Sequence, residues 1–183
     1  MKRRASLTLI ITILFFFICS NSVLAASLYL NVPGTAQEDT NWCWAASSVC
    51  VLNYQNKGVT QTQFVTYVKG SPVNEAGWPW EVSSGLSHWN VNSNWTLGSV
   101  SWGTILDNIG NNYAPIIASI AWAPLWQFKG HMVTIYGYYE DPYVRNISYM
   151  DPDGVHRWKI STFPDFVTNA SFIWSGTNYN LSY

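Results

Sequence analysis

The sequence predicts an α+β fold, in which a helical N-terminal half packs against a C-terminal half of antiparallel β-strands. Two observations carry this prediction. From residue 115 to residue 161, short runs of β-branched and aromatic residues are separated by Pro, Gly and Asp, which is typical of strands joined by turns. Before them, the longest candidate helix repeats its pattern at spacings of three and four, at Trp44, Ser47, Ser48, Val51, Leu52 and Gln55.

Residues 1–25 have the three parts of a secretory signal peptide. Lys2, Arg3 and Arg4 are basic, the apolar run LTLIITILFFFIC follows, and small residues lead to a cleavage site after Ala25. The alternative is an uncleaved membrane anchor, but a bilayer span needs about 20 apolar residues and this run is shorter. We therefore expect one domain over residues 26–183 of a secreted protein, extracellular or periplasmic, with no membrane contact after cleavage.

The predicted mature chain is acidic. Loss of Lys2, Arg3 and Arg4 would leave six Lys and Arg against ten Asp and Glu, a net charge of −4. Because no basic patch remains, a nucleic-acid partner is not expected. Neither the cysteines nor the three histidines have the spacing of metal ligands, so we expect no metal and no other cofactor. We expect the protein to be a monomer.

Several segments of the first half carry signals of regular structure. Residues 28–33 alternate and then stop at a proline, as an edge strand does. The longest helix is predicted to begin at an N-cap, Thr40 or Asn41, and to end at Gly58. Three further helices are predicted: one capped by Thr60, a short one within residues 75–89, and one over residues 101–109 that ends at Gly110.

The second half contains four predicted strands. They lie in the runs PIIASIAW, GHMVTIYGYYE, RNISYMDPDG and VHRWKIS, which begin at residues 115, 130, 145 and 155. Consecutive strands joined by short turns favour a β-meander, in which each strand pairs with the next one along the chain.

Cys43 has the position of a reactive thiol. It is predicted in the first turn of the long helix, where the helix dipole favours negative charge, and the thiolate is the nucleophilic form of cysteine. Cys50 lies in the apolar run SVCVL and reads as a small buried hydrophobe. A disulfide between them is not expected, because seven helical residues separate their Cα atoms by about 10 Å, beyond the reach of a disulfide.

A thiolate nucleophile needs a base, and His131 is the best candidate. It opens the most strand-like run in the chain, and Asp151 ends a following strand, so antiparallel pairing would bring the two side chains together. The alternatives are a structural histidine and an ordinary turn aspartate, since Asp-Pro is a turn former. His88 and His156 are weaker candidates, because His88 lies in an irregular polar stretch and no carboxylate strand end follows His156.

These residues form a pattern that resembles a known family. The motif QEDTNWCWAAS, then Gly130-His131 and then Asp151-Pro152, resembles the papain-like cysteine proteases. The resemblance is closest to the short bacterial branch, which includes bacteriocin-leader peptidase-like domains and the papain-like effector proteases of plant pathogens. It implies that the protein is bacterial and that an active-site cleft lies between the helical half and the β half.

The resemblance also implies roles for four residues. Cys43 would be the nucleophile, His131 the general base and then acid, and Asp151 the residue that orients His131. Gln37, six residues before Cys43, would donate its side-chain amide to an oxyanion hole together with the Cys43 backbone N–H. The expected function is hydrolysis of peptide bonds in a protein or peptide substrate. Few residues separate the predicted cleavage site from Gln37, so no long inhibitory prosegment is expected.

Other functions stay open from the sequence. One is a catalytically silent papain-like binding module, although none of the four residues is lost. A related acyl transferase or a peptidoglycan-hydrolysing enzyme would use similar chemistry, since an acyl-enzyme can be resolved by an amine or by water. The substrate-binding residues are unknown, but the tryptophan-containing segments 74–85 and 121–130 are candidate walls of the cleft and favour apolar substrate side chains.

Overall fold

The computed structural model describes residues 25–123, 130–154 and 157–182. The predicted signal peptide, apart from Ala25, therefore lies outside the described residues. The seven strands are β1 (Ala26–Tyr29), β2 (Asn92–Leu97), β3 (Ile116–Trp122), β4 (Gly130–Glu140), β5 (Arg145–Met150), β6 (Trp158–Thr162) and β7 (Phe172–Ser182). The helices are α1 (Cys43–Tyr54), α2 (Gln61–Lys69), α3 (Pro79–His88), α4 (Trp102–Ile105), which continues into a π-helical turn (Leu106–Asn111), and α5 (Phe163–Val167).

All seven strands belong to one antiparallel sheet, in which six follow the order β2-β7-β3-β4-β5-β6 and β1 pairs with β4 off this path. The predicted meander is present, because β3, β4, β5 and β6 pair in succession. β4 is long enough to carry two partners along one edge: β3 pairs with its first half and β1 with residues 137–140. The three longest helices, α1, α2 and α3, lie in the first half of the chain and most of the sheet in the second, which confirms the predicted α+β architecture.

Helix α1 runs through the centre of the molecule. Nine consecutive residues from Trp44 to Leu52 are buried, so this helix has no solvent-facing stripe. Several are small, and the small side chains at Ala45, Ala46 and Ser47 let other elements approach closely. One core cluster lies between α1, α2, α3 and the sheet and includes Trp44, Phe64, Leu86, Ile117 and Met132. The other lies across the sheet and includes Cys50, Ile109, Ile135, Met150 and Phe166.

The ends of α1 differ from the predicted ones. The N-cap is Trp42, and the side chains of Thr40 and Asn41 instead form hydrogen bonds with Asn74. The helix ends at Tyr54, before the predicted Gly58, because Asn56 adopts a φ of 59° and turns the chain out of the helix. Asparagine tolerates this left-handed conformation better than most residues do.

The other predicted elements are shifted by a few residues. β1 begins at Ala26 rather than at residue 28, and the helix expected over 101–109 becomes α4 plus a π-helical turn that passes Gly110 and ends at Asn111. Thr60 caps α2 as predicted, with its side chain accepting from the backbone N–H of Gln63. Within the part of the chain that the structure describes, no helix is both long enough and apolar enough to cross a membrane.

Candidate active site

Cys43 is the first residue of α1, as predicted, and is partly exposed. The first N–H groups of a helix have no acceptor within the helix, so they point their donors at whatever lies beside Cys43. The thiol borders a cavity of about 290 Å³ between the helices and the sheet. Cys43 therefore combines access from solvent with a position at a helix N-terminus, beside backbone N–H groups that are free to donate to a bound group.

The two tryptophans that flank Cys43 hold one wall of this cavity. The indole N–H of Trp42 donates to the carbonyl of Val73, and that of Trp44 donates to the carbonyl of Glu75, both at 2.9 Å. Gly77 continues this wall, and a Cβ there would lie 2.2 Å from the Trp44 ring, so only glycine fits. The Trp-Cys-Trp sequence thus fixes the position of Cys43 and of its neighbouring wall together.

His131 lies at the start of β4 and is mostly buried, with 8% of its surface exposed. It pairs with Ile120 across the sheet, and its ring stacks on that of Trp122 at 6.2 Å between centroids. The hydroxyl of Ser47, one turn after Cys43, donates to the carbonyl of Met132 at 3.1 Å. This hydrogen bond ties the helix that carries Cys43 to the strand that carries His131.

Asp151 follows β5 directly and lies beside His131, as the antiparallel pairing predicts. His131 Nε2 and Asp151 Oδ1 are 2.6 Å apart. The same oxygen accepts from the backbone N–H of Asp153 at 2.9 Å, while Oδ2 accepts from Lys159 Nζ at 2.5 Å. Since Nε2 is taken by Asp151, Nδ1 is the ring nitrogen left for the Cys43 thiol.

The charges of the His131 imidazolium and the Asp151 carboxylate stabilise each other. Burial alone would lower the pKa of His131, but hydrogen bonds to Asp151 and Cys43 outweigh it and raise that pKa to about 9. Burial would raise the pKa of Asp151, yet hydrogen bonds from His131 and Lys159 lower it to about 2. The site therefore favours an imidazolium held between a carboxylate and the cysteine sulfur at neutral pH.

Gln37 lies near these residues but its side chain is already engaged. Its backbone N–H donates to the carbonyl of Pro152 at 3.0 Å, which fixes it beside the turn that follows Asp151. Its side-chain Nε2 donates to the carbonyls of Asp39 and Thr40, both at 3.1 Å. To donate to an oxyanion, the amide has to exchange one of these acceptors for the substrate.

The remaining candidates lie away from the site. Cys50 is fully buried, its Sγ lies 3.2 Å from the Pro33 carbonyl, and burial raises its pKa to about 12; the prediction that Cys50 is a buried residue is confirmed. His88 is exposed at the end of α3 and stacks on Tyr67. His156 lies outside the described residues. Within the described ranges, no group of three or more His, Cys, Asp or Glu side chains could hold a metal ion.

The cavity beside Cys43 is lined in part by the segments expected to form its walls. Residues 76–79 line it, as do Ala121 and Gly130, whereas residues 124–129 lie outside the described residues. Leu97 and residues 119–120, 131–132 and 175–176 complete the lining, and no sequence pattern places most of them there. Lys159 was also missed, although a lysine within a strand-like run is a signal that could have drawn attention to it.

Comparisons with known proteins identify the family and the fold of this chain. The model of the Peptidase_C39 like family matches residues 29–179. None of the curated proteins matches the sequence at a significant level. One similar structure is a double glycine motif protease from an AMS/PCAT transporter in complex with its leader peptide; the identity is 18%, the TM-score 0.54, and the match covers 82% of this chain and 93% of that one.

A second similar structure is the peptidase domain of Streptococcus ComA, a bifunctional ABC transporter involved in quorum sensing. Its identity to this chain is 11% and the TM-score is 0.59, and the match covers 81% of this chain and 97% of that domain. These likenesses show the fold, and the family match covers most of the chain. The protein therefore belongs to the Peptidase_C39 like family and is a cysteine peptidase with a papain-like fold.

Proposed function

We propose that this protein is a secreted cysteine peptidase that hydrolyses peptide bonds with Cys43, His131 and Asp151 as its catalytic triad. The observation that carries the proposal is the arrangement around His131, whose ring contacts Asp151 through Nε2 and leaves Nδ1 for the Cys43 thiol. A nucleophile, a base and a residue that orients the base are the three parts that thiol catalysis needs. All three border or adjoin one cleft.

The acylation step uses the charges that the site favours. The Cys43 thiolate attacks the carbonyl carbon of the substrate, and the carbonyl π electrons move onto oxygen to form an oxyanion. The His131 imidazolium then gives its proton to the leaving amine nitrogen, the C–N bond breaks, and an acyl-enzyme remains on Sγ. Asp151 keeps the imidazole ring oriented and stabilises its positive charge throughout.

Deacylation returns the enzyme to its starting form. His131, now neutral, takes a proton from a water molecule while the water oxygen attacks the acyl carbon. The C–S bond breaks, the carboxylic acid product leaves, and the thiolate–imidazolium pair is restored. An amine in place of water would give acyl transfer, so the nature of the second reactant decides between hydrolase and transferase.

Two donors would stabilise the oxyanion. One is the backbone N–H of Cys43, at the free N-terminal end of α1. The other is the Gln37 amide, after it releases Asp39 or Thr40. Removal of one such donor costs about 3 to 4 kcal/mol of transition-state stabilisation in a comparable enzyme.

The substrate proposed is a polypeptide that binds in the open cleft. One similar structure is described as a protease in complex with a leader peptide, and such a ligand would fit the partly exposed nucleophile here. The basic and apolar N-terminus supports export before the enzyme acts. Intact-mass analysis of protein from the culture medium should show a chain that begins at Ala26; a chain that retains residues 1–25 would contradict secretion by this signal.

The proposed activity can be tested directly. The full chain is incubated with an unbiased peptide library in reducing buffer, beside Cys43→Ala and beside Cys50→Ser as a matched control. We expect the wild type and Cys50→Ser to cleave and Cys43→Ala to be inactive. Retained cleavage by a folded Cys43→Ala variant would overturn the proposal.

A labelling experiment separates the alternatives if no peptide is cut. A cysteine-directed epoxide should alkylate Cys43 and spare the buried Cys50. Labelling without peptide cleavage, together with release of fragments from peptidoglycan, would favour the peptidoglycan-hydrolysing alternative. Failure of both labelling and cleavage would favour the binding module.

A further inference from the structure

We propose that Asn74 is a positioning residue that sets the orientation of the Gln37 side-chain amide. It acts through the peptide unit between Thr40 and Asn41, which lies between the two side chains. This inference rests on the proposed function, because the Gln37 amide is the side-chain donor proposed there for the oxyanion. Asn74 itself would touch neither the substrate nor the triad.

The orientation of the Gln37 amide is fixed through its nitrogen. Nε2 donates to the carbonyls of Asp39 and Thr40, both at 3.1 Å, so both of its N–H groups are used. Oε1 is buried and has no hydrogen-bond partner among the residues that the structure describes. A flipped amide would set Oε1 against two carbonyl oxygens, which would repel it. The two carbonyls therefore decide where the Gln37 donors point.

The Thr40 carbonyl belongs to a peptide unit that Asn74 holds from the other side. In a planar trans peptide, the C=O and N–H groups point in opposite directions. The carbonyl of this unit accepts from Gln37 Nε2 at 3.1 Å. The N–H of the same unit belongs to Asn41 and donates to Asn74 Oδ1 at 2.9 Å. Because a tilt of the peptide plane moves both groups together, the Asn74 side chain controls the position of the acceptor that the Gln37 amide uses.

Two further hydrogen bonds hold Asn74 against the same two residues. Its Nδ2 donates to Thr40 Oγ1 at 2.8 Å, and its own carbonyl accepts from Asn41 Nδ2 at 3.0 Å. The residues on either side of Asn74 accept from the indole N–H groups of the two tryptophans that flank Cys43. The backbone around Asn74 is therefore anchored to the start of α1, and its side chain has a fixed base from which to hold the peptide unit.

The two carbonyls that Gln37 contacts differ in what they lose when the amide turns to an oxyanion. The Asp39 carbonyl also accepts from the backbone N–H of Trp42 at 3.1 Å, so it keeps a partner after Gln37 leaves. For the Thr40 carbonyl, the described residues supply no second donor. Asp39 is therefore the acceptor that the oxyanion replaces, and the bond to Thr40 keeps the amide in place while its other N–H turns to the substrate.

The exposure of Asn74 makes its positioning effect separable from folding stability. Asn74, Thr40 and Asn41 are all exposed, so their hydrogen bonds compete with water and add little to stability. Their geometric effect is larger, because misplacement of a catalytic group by about 1 Å can cost up to roughly 100-fold in rate. Loss of the Asn74 side chain should therefore change kcat much more than it changes Tm.

The kinetic test compares Asn74→Ala with a conservative variant and a matched control. Asn74→Asp keeps an oxygen that can accept from the Asn41 N–H. Asn169→Ala is the control, because Asn169 is also exposed, its side chain also hydrogen-bonds to nearby backbone groups, and it does not border the cavity. We expect Asn74→Ala to lower kcat about tenfold with little change in KM, Asn74→Asp to stay within about threefold of wild type, and Asn169→Ala to match wild type.

A double-mutant comparison shows whether Asn74 acts through Gln37. In the Gln37→Ala background the amide is absent, so adding Asn74→Ala should cause no further loss of kcat. If the two losses multiply instead, Asn74 acts on another group and the inference is wrong. An active enzyme in which Asn74→Ala leaves kcat unchanged would also overturn it, without touching the peptidase proposal.

A second readout needs no peptide cleavage and so separates this inference from the proposed function. The side-chain amide NMR signals of Gln37, assigned by their absence in Gln37→Ala, report on its hydrogen bonds in the free protein. We expect them to shift in Asn74→Ala and to stay close to their wild-type positions in Asn74→Asp and Asn169→Ala. This pattern in a protein that cuts no peptide would support the role of Asn74 and contradict only the peptidase proposal. Signals that do not move in Asn74→Ala, or that move as far in Asn169→Ala, would overturn the inference whatever the peptidase activity.

Discussion

Lys159 Nζ lies 2.5 Å from Asp151 Oδ2, on the carboxylate oxygen that His131 does not use. The side chain of Asp151 is thus bracketed by two positive groups, one from β4 and one from β6. The backbone N–H of Asp153 donates a further hydrogen bond to Asp151 Oδ1. An aspartate surrounded in this way stays ionised in acid, and it keeps a fixed orientation because both oxygens are hydrogen-bonded.

Replacement of Lys159 by methionine should move the acid limb of the kcat/KM profile to higher pH. Lys159 is one of the groups that lower the pKa of Asp151, so its loss allows the carboxylate to take up a proton sooner. The effect is modest, because the lysine side chain is 42% exposed and solvent screens the pair; we expect about a three- to tenfold loss in kcat/KM at acidic pH and little change at neutral pH. Lys159→Arg should restore the profile, and an acid limb that does not move in Lys159→Met would refute this role.

Folding stability should depend on pH through His131 and Asp151. The pKa of His131 rises from 6.5 to about 9 on folding, so its contribution is complete below pH 6.5 and is lost as the pH rises through 9. The pKa of Asp151 falls from 3.8 to about 2, so its contribution is complete above pH 3.8 and is lost as the pH falls through 2. Both contributions are complete only between pH 3.8 and 6.5.

His131→Gln should therefore lose the most stability, up to a few kcal/mol, in that mildly acidic window, and the loss should shrink as the pH approaches 9. Urea unfolding of both proteins across the pH range measures the difference directly. His88→Gln is the control, because His88 is exposed and lies away from the site. A stability difference for His131→Gln that is constant with pH would show that the imidazolium does not contribute.

Ser47→Ala should lower kcat several-fold more than Ser48→Ala does. Both hydroxyls are fully buried on α1, but Ser47 donates to Met132 on β4, whereas Ser48 donates to Trp44 within the same helix. Each loss should cost about 1 to 2 kcal/mol of stability. Only the first removes a hydrogen bond between the helix of Cys43 and the strand of His131, which stay joined by the bond from Thr134 Oγ1 to the Ser47 carbonyl. Equal kcat values at equal stability would therefore argue against a positioning role for Ser47.

The positions of the three candidate residues in the fold were more predictable from the sequence than the pairing of the sheet was. Cys43, His131 and Asp151 sit at the ends of elements with strong local signals: a helix start, a strand start after glycine, and a strand end before Asp-Pro. Local signals of this kind depend on a few neighbouring residues and can be recognised without knowledge of the fold. The Lys159–Asp151 contact depends instead on the β5–β6 register, which pairs Tyr149 with Lys159, and the sequence does not specify that register.

Two strands were missed because their composition favours turns. β2 (NSNWTL) and β7 (FIWSGTNYNLS) contain Asn, Ser and Gly, which locally stabilise loops. Both form strands because β7 returns to pair with β3 and then offers its other edge to β2. Strand formation here follows from long-range pairing rather than from intrinsic preference, and the same pairing brings Leu97 and Gly176 to the cavity.

Gln37→Ala should lower kcat by roughly 100- to 1000-fold with little change in KM, if its amide serves the oxyanion. The Gln37 side chain also holds the segment before α1 in place, through the carbonyls of Asp39 and Thr40. The effect of losing that support therefore has to be distinguished from the effect of losing the donor to the oxyanion.

Gln61→Ala is the control that distinguishes the two effects. Its buried amide holds the same segment through the Ala36 carbonyl and the Glu38 N–H, yet it belongs to α2 and does not line the cleft. We expect Gln61→Ala to lower Tm at least as much as Gln37→Ala while retaining most of kcat. If the two variants instead lose kcat in proportion to Tm, Gln37 acts by holding the segment in place, and the oxyanion hole has to be built from backbone donors at the start of α1.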